Sequence, residues 1–426
     1  MQTFINPSED KWPQITGRSH LDTPALNKTV SDILNDVKEN GDAAVKKYNL
    51  QFDGVVSGEL KVSQDEFNEA LSLVNEDLKA AIQLARENIY RFHVAQKEAV
   101  IKIETTTGVT CWRESIPVEK VGLYIPGGTA PLFSTLLMLG IPALIAGCKN
   151  ILVCTPRGKD GKINPVILYV AHLLGLKNIY KTGGVQAIGA MAYGTQSVDA
   201  VYKIFGPGNQ YVTTAKQLVN QQGIAIDMPA GPSEVAIYAD ESCRPHFVAS
   251  DLLSQAEHGA DSQVILVASS IKIMDEIRFQ MDVQAEALPR KNIIKECLGG
   301  SRMVVMENVT DAFSLLNEYA AEHLIIASDN AEALAKYVRN AGSVFLGNYS
   351  PESAGDYASG TNHTLPTNGN ARAYSGVSVD SFVKKITFQK IEKEGLQKIG
   401  NAVELMAAAE GLDAHKNAIT IRLKYE

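Results

Sequence analysis

Gln255 and His258 stand three residues apart in the polar run Ser254-Gln255-Ala256-Glu257-His258-Gly259-Ala260-Asp261, which follows the apolar pair Leu252-Leu253. On a helix that spacing puts both side chains on one face. An amide oxygen and an imidazole nitrogen side by side make half of a site for zinc or a similar divalent ion. Asp356 and His415 offer a further oxygen and nitrogen, but spacing alone does not gather them. The plainer alternative has His258 capping its helix beside Gly259 and His415 lying on the surface.

The tripeptide Ala256-Glu257-His258 returns as Ala321-Glu322-His323, directly before the apolar run Leu324-Ile325-Ile326-Ala327. Histidine titrates near neutral pH and a neighbouring carboxylate is tuned by its surroundings, so Glu322 and His323 suit proton transfer. Successive strand residues face opposite ways, so both serve one site only if a turn lies there. An exposed pair without chemistry is the other reading. A third group of residues follows predicted strands as glycine turns: Tyr124-Ile125-Pro126-Gly127-Gly128-Thr129, Thr182-Gly183-Gly184-Val185-Gln186 and Phe205-Gly206-Pro207-Gly208-Asn209. No G-x-G-x-x-G fingerprint is present, yet three such turns at the carboxyl ends of parallel strands would converge where α/β sheets bind ligands. The helix opening near Asn209 could receive a phosphate. Tight turns serving only chain reversal are the alternative for each turn taken singly.

These residues need a frame. The 426 residues, 45% hydrophobic and 21% charged, suggest a globular protein of about three units. A net charge of -8 with no basic stripe excludes a nucleic-acid binder. The five cysteines (Cys111, Cys148, Cys154, Cys243, Cys297) form no Cys-x-x-Cys pair and read as reduced thiols. With no secretory signal at the N-terminus, a cytoplasmic location is expected. Residues Val121 to Cys148 hold no charge and are long enough to span a membrane. Pro126, Gly127, Gly128, Pro131, Gly140 and Pro142 interrupt them, so a buried strand, a glycine loop and a helix are predicted instead.

From Leu26 to Arg91 the pattern is amphipathic and helical, and Val100–Glu104 alternates as a strand. Strands then alternate with helices. The predicted strands are Val121–Ile125, Asn150–Cys154, Asn178–Lys181, Ala200–Ile204, Val235–Tyr238, Val264–Ala268, Met303–Met306, Leu324–Ala327 and Ser343–Leu346. This is an α/β fold with two consecutive Rossmann-like parallel sheets and helical N- and C-terminal extensions. Residues Asn348 to Ser378 lose all periodicity, and a loop of that length carrying Asp356 and His363 points to function. Helices close the chain at Leu396–Ala409 and Leu412–Leu423.

The segments Gly122–Gly128, Phe205–Asn209, Asp227–Glu234, Ser254–His258, Ala321–His323, Pro351–His363 and Glu410–His415 together closely resemble the histidinol dehydrogenase family, in that family's order. The resemblance covers about Gly122 to His415. It implies NAD-dependent, four-electron oxidation of L-histidinol to L-histidine through bound L-histidinaldehyde, the last step of histidine biosynthesis. It further implies zinc held by Gln255, His258, Asp356 and His415, orienting the substrate. The same residues together with Ser233, His323, Glu352, His363 and Glu410 would contact substrate, Tyr124, Gln186 and Asn209 would contact NAD, and Glu322 and His323 would carry the acid–base chemistry. A homodimer with shared sites is expected, the C-terminal segment crossing so that Glu410 and His415 complete the partner's site. The division that goes with it is an N-terminal extension (1–20), an α/β domain carrying metal and catalytic residues (21–120 and 235–377), a nucleotide-binding domain (121–234) and a C-terminal helical segment (378–426). A cysteine hemithioacetal through Cys111 or Cys148 is the rival mechanism, discounted because neither has a base beside it. A metal-dependent hydrolase and a two-lobed binding protein are the rival functions. The glycine turns speak against the first, and the second leaves Glu322 and His323 without a purpose.

Overall fold

The computed structural model describes residues 1–18, 23–54, 58–127 and 131–424. Fourteen strands are found among them. In chain order they are β1 (Gln2–Ile5), β2 (Lys102–Thr106), β3 (Val109–Pro117), β4 (Lys120–Tyr124), β5 (Asn150–Thr155), β6 (Asn178–Lys181) and β7 (Lys203–Phe205). There follow β8 (Ala225–Ile226), β9 (Glu234–Ala239), β10 (Gln263–Ala268), β11 (Arg302–Val305), β12 (His323–Ala327), β13 (Ser343–Leu346) and β14 (Val383–Ile391).

Two sheets are parallel throughout. The first has the order β6-β5-β4-β7-β8 and the second β1-β11-β10-β9-β12-β13. Apart from the added edge strand β1, both repeat one doubly wound order, in which the first and fourth strands of the unit lie side by side. Because both faces are covered, the central strands read as unbroken apolar runs, as in the fully buried Glu234–Ala239. Val235 and Ile237 enter a core shared with the helices Pro245–Ala256 and Ile271–Ala287, while Ala236 and Tyr238 enter the opposite core with the helix Val309–Tyr319. The third sheet, β14-β3-β2, is antiparallel.

The charge-free stretch is β4 followed by a fourteen-residue helix, Phe133–Ala146, buried nearly all round. Packing on all sides carries the helix through Gly140 and Pro142. Among the described residues no helix is long and apolar enough to cross a membrane. Gly128 and Thr129 of the first glycine turn lie outside the described residues.

Packing departs from the expected grouping in three places. The helices Thr23–Asn40, Asp42–Asp53, Gln64–Leu73 and Glu76–Val94, assigned with residues 235–377, bury their apolar faces against the five-stranded sheet instead. Amphipathicity reveals which face of a helix is buried, not the sheet that buries it. Residues 1–20 are not a mere extension, since β1 pairs with β11 and Ile15 is fully buried in the six-stranded domain's core. The segment 378–426 is not wholly helical, because β14 pairs with β3 over nine residues and Phe382 stacks on Phe205 at 4.0 Å.

Candidate active site

Two clefts follow from these two sheets. At the carboxyl ends of β4, β6 and β7 a cavity of about 1110 Å³ is lined by Tyr124, Gly127, Gly184, Gln186 and Asn209, so residues of all three glycine turns meet there. Asn209 caps the helix Gln210–Gln221, its Oδ1 accepting from the Tyr211 and Val212 amides at 3.1 and 3.2 Å. The Tyr124 hydroxyl accepts from the Gly184 amide at 3.2 Å. Gln186 is buried, donates to Asn49 at 3.2 Å, and leaves its Oε1 without a partner. Gly206 cannot be replaced cheaply: its φ is +130° and a Cβ would lie 2.1 Å from the Tyr124 carbonyl oxygen. The buried pair Lys216–Asp227 holds this turn, Lys216 donating to the Gly206 carbonyl and Asp227 accepting from its amide, both at 2.8 Å.

The second cleft lies at the amino edge of the six-stranded sheet. His323 is the first residue of β12 and Glu322 directly precedes it, after Ala320 in a left-handed turn of φ +53°. That turn resolves the strand-parity problem, because both side chains reach the start of the adjacent strand β9. Glu322 Oε2 accepts from the Glu234 amide at 3.0 Å, and His323 Nδ1 lies 3.3 Å from the Glu234 carbonyl oxygen. Further carboxylates surround the imidazole. Glu322 Oε2 and Glu352 Oε1 stand 3.8 and 3.9 Å from Nδ1, and Asp356 Oδ1 stands 3.4 Å from Nε2.

The helix Pro245–Ala256 returns to this edge and brings Gln255 and His258 with it, while the short helix Glu352–Tyr357 supplies Glu352 and Asp356. Ligand atoms of His258, Glu352 and Asp356 all lie within 4.8 Å of one another. Gln255 is fully buried with neither amide atom partnered. Unpartnered buried polar atoms are costly, and the oxygen and nitrogen donors of His258, Glu352 and Asp356 that converge here fit a divalent ion. Glu352, expected only as a substrate contact, sits among the groups that could hold the ion. His363 is held beside them, its Nδ1 2.8 Å from the Asp356 carbonyl and its Nε2 3.1 Å from Thr135 Oγ1. Ser233 is half-buried next to Glu234.

His415 and Glu410 are exposed near the end of the chain and are not brought to this cluster. Their helices, Lys393–Ala409 and Asp413–Lys424, pack mainly on each other and leave Leu405, Met406 and Leu412 in solvent. The rival thiols lie elsewhere. Cys148 is buried in the core of the five-stranded sheet, where burial pushes it up to about 11, and Cys111 pairs within the antiparallel sheet.

Burial raises the Glu322 and Glu352 carboxyls, each to about 8, against the pull of His323. Burial opposes the charge on His323, but Glu352, Glu322 and Asp356 outweigh it and hold the imidazole protonated, up to about 10. All three groups therefore bind protons more tightly folded than unfolded, and each contribution is complete below the unfolded value. It is lost as pH climbs from about 4.5 to about 8 for the carboxyls and from 6.5 to about 10 for His323. Metal-free protein is accordingly expected to unfold at lower urea concentration at pH 9 than at pH 6. Midpoints independent of pH across that window would contradict this proton-holding cluster.

A cavity at the carboxyl ends of one doubly wound sheet, and a cluster of Glu322, His323, His258, Glu352 and Asp356 at the edge of the other, fit an oxidoreductase built on two α/β sheets. The histidinol dehydrogenase family model matches residues 16–423, and the chain belongs to that family. It is 56% identical over 423 residues to a histidinol dehydrogenase of Bacteroides thetaiotaomicron, covering 99% of both chains. It is 50% identical over 401 residues to one of Aliivibrio fischeri, covering 94% of this chain and 90% of the other. The crystal structure of histidinol dehydrogenase from Elizabethkingia anophelis superposes with a TM-score of 0.97 at 55% identity, covering 100% of this chain and 98% of that one.

Sequence reasoning missed Glu234, Thr135 and Asn362, which act here through other residues. A charged residue heading the apolar strand β9 was the only signal for Glu234. Asn362 anchors the loop before His363 by donating to the Met138 carbonyl at 2.6 Å.

Proposed function

We propose that this chain oxidises L-histidinol to L-histidine through bound L-histidinaldehyde, as a cytoplasmic homodimer using NAD and a divalent ion, zinc by the donor set. The observation that carries the reading is the juxtaposition of buried Glu322 and His323 with unpartnered Gln255 and the His258–Glu352–Asp356 cluster. When bound, NAD supplies the hydride acceptor and the ion supplies an anchor for the substrate's nitrogens.

The protein's own residues handle protons and position. Asp356 and Glu352, which press His323 toward its protonated form, would hold the ion, and its positive charge would offset theirs and leave the imidazole available as a base. His323 then takes the hydroxyl proton as hydride leaves the carbinol carbon. Glu322 takes a proton from the water that adds to the aldehyde while protonated His323 returns its proton to the carbonyl oxygen, so that the neutral imidazole can take a hydroxyl proton again as the hydrate loses its second hydride. Tyr124, Gln186 and Asn209 line the cofactor cleft, and the unpartnered Gln186 Oε1 is a ready acceptor for a ligand donor. Ser233 and His363 are the further residues that would contact the substrate, His363 being held beside Asp356. The exposed hairpin carrying Glu410 and His415 supports exchange with a second copy, which would supply the remaining nitrogen ligand.

The test is the absorbance of NADH formed from histidinol with and without chelator. Two NADH per histidinol, lost on metal removal, is the expected result. No NADH would overturn the reading, and NADH formation indifferent to chelation would remove the ion from it.

A further inference from the structure

Both acid–base side chains are tied to a single residue that has no place in the chemistry. The Glu234 amide donates to Glu322 Oε2 at 3.0 Å, and the Glu234 carbonyl faces His323 Nδ1 at 3.3 Å. A proton on Nδ1 toward that carbonyl leaves Nε2 as the imidazole's basic nitrogen. The Glu234 side chain is itself buried and points the other way, into a fork. Arg18 Nε meets its Oε1 at 2.5 Å and the Arg18 terminal nitrogen meets its Oε2 at 2.8 Å, with the Asn368 amide adding a bond at 3.0 Å. Arg18 also donates to the Tyr319 carbonyl at 2.8 Å and lies 4.1 Å over the Tyr319 ring, just before the turn that presents Glu322.

We infer that Arg18 and Glu234 are positioning residues for the reaction: their bidentate bond fixes the start of β9, and through its backbone fixes Glu322 and His323. The inference rests on the acid–base reading of those two residues. An arginine fork holds a carboxylate in one plane, which a lysine does not. It binds three segments far apart in sequence at the point from which both catalytic side chains hang. Among the described residues the Arg18 side chain donates to Glu234 and Tyr319 and to none of Gln255, His258, Glu352 and Asp356, so its effect should fall on turnover and not on metal content.

The variants are Arg18→Lys, which keeps charge without the fork, and Arg18→Met with Glu234→Gln, which removes the buried charge that Arg18→Met alone would strand. Full-length protein is assayed for histidinol-dependent NADH formation per folded, metal-loaded site, and crystal structures of both variants are determined. A misplacement of ~1 Å costs about a hundredfold in rate, so kcat is expected to fall by about 10- to 100-fold. KM for histidinol and NAD and the metal stoichiometry should stay unchanged. In the crystals Glu322 and His323 should have left their Glu234 bonds. A kcat per folded site equal to wild type, or a fall with the catalytic pair unmoved, would overturn the inference. Should wild-type protein form no NADH at all, the functional reading fails, while the position of Glu322 and His323 in the variants still decides whether the fork holds them.

Discussion

His323→Asn is expected to lower kcat for histidinol oxidation by about 10²- to 10⁴-fold, the range over which a positioned base contributes. The size of the effect follows from how the residue is held. His323 is 4% exposed, it opens β12, and its two ring nitrogens are met by the Glu234 carbonyl and by Asp356. Among the described residues His258 and His363 are also near Asp356, but neither bonds the start of β9 as His323 does. Asparagine preserves polarity but cannot accept and return a proton at the operating pH. The fall should appear in kcat with metal content intact, because removing a base used only in the transition state leaves ground-state binding alone. Glu322→Gln separates the two halves of the reaction. Its amide can still meet the Glu234 backbone, so the alcohol step should survive better than the step that needs activated water. Single-turnover measurements started from histidinol and from histidinaldehyde read the two steps apart. A His323→Asn enzyme within tenfold of wild type would sink the assignment.

How much of this was legible in the sequence depends on whether the determining contact is local. Strands β5, β6 and β13 could be read nearly to their ends, because apolar runs stop at glycine or charge. The antiparallel β14 escaped, since Val-Lys-Lys-Ile-Thr-Phe-Gln-Lys-Ile leaves most of its residues exposed and alternates too poorly to signal a strand. The glycine turns announced the cavity at the carboxyl ends of β4, β6 and β7, whereas Glu322 and His323 sit at the opposite, amino edge of their own sheet. The rule that places ligand sites at carboxyl ends therefore describes the cavity of one sheet and not the polar cluster of the other. Gln255 and His258 were visible as a pair because a helix fixes their spacing. Asp356 joins them from a short helix about a hundred residues later, a separation that no periodicity encodes. Arg18 and Glu234 meet across 216 positions, and such partners become readable only once the sheets are assembled.

Gln255→Leu should change sign with the metal. Gln255 is 0% exposed and neither of its amide atoms has a partner in the chain, so without an ion the fold would carry the cost of dehydrating them. Each unsatisfied buried polar group costs about 1–3 kcal/mol, and a leucine of similar bulk removes that penalty without opening a cavity. Chelated Gln255→Leu protein is thus expected to be more stable than chelated wild type, by an amount in the same ~1–3 kcal/mol range. With zinc added the order should reverse. An ion that binds only the folded state stabilises by RT ln(1 + [L]/Kd), about 2.7 kcal/mol at a hundredfold excess over Kd, and the variant gives up a ligand and most of that gain. Turnover should be lost together with the gain, since in the proposed reaction the ion would orient the substrate. Urea unfolding of both proteins, each with chelator and with zinc, gives the four midpoints required. A variant less stable than wild type under chelation would mean that Gln255 already has a partner in the metal-free protein, and a variant stabilised by zinc as much as wild type would take Gln255 out of the ligand set. An inert packing residue at this position would move both midpoints in one direction; a ligand kept in a dry pocket for an ion moves them in opposite ones.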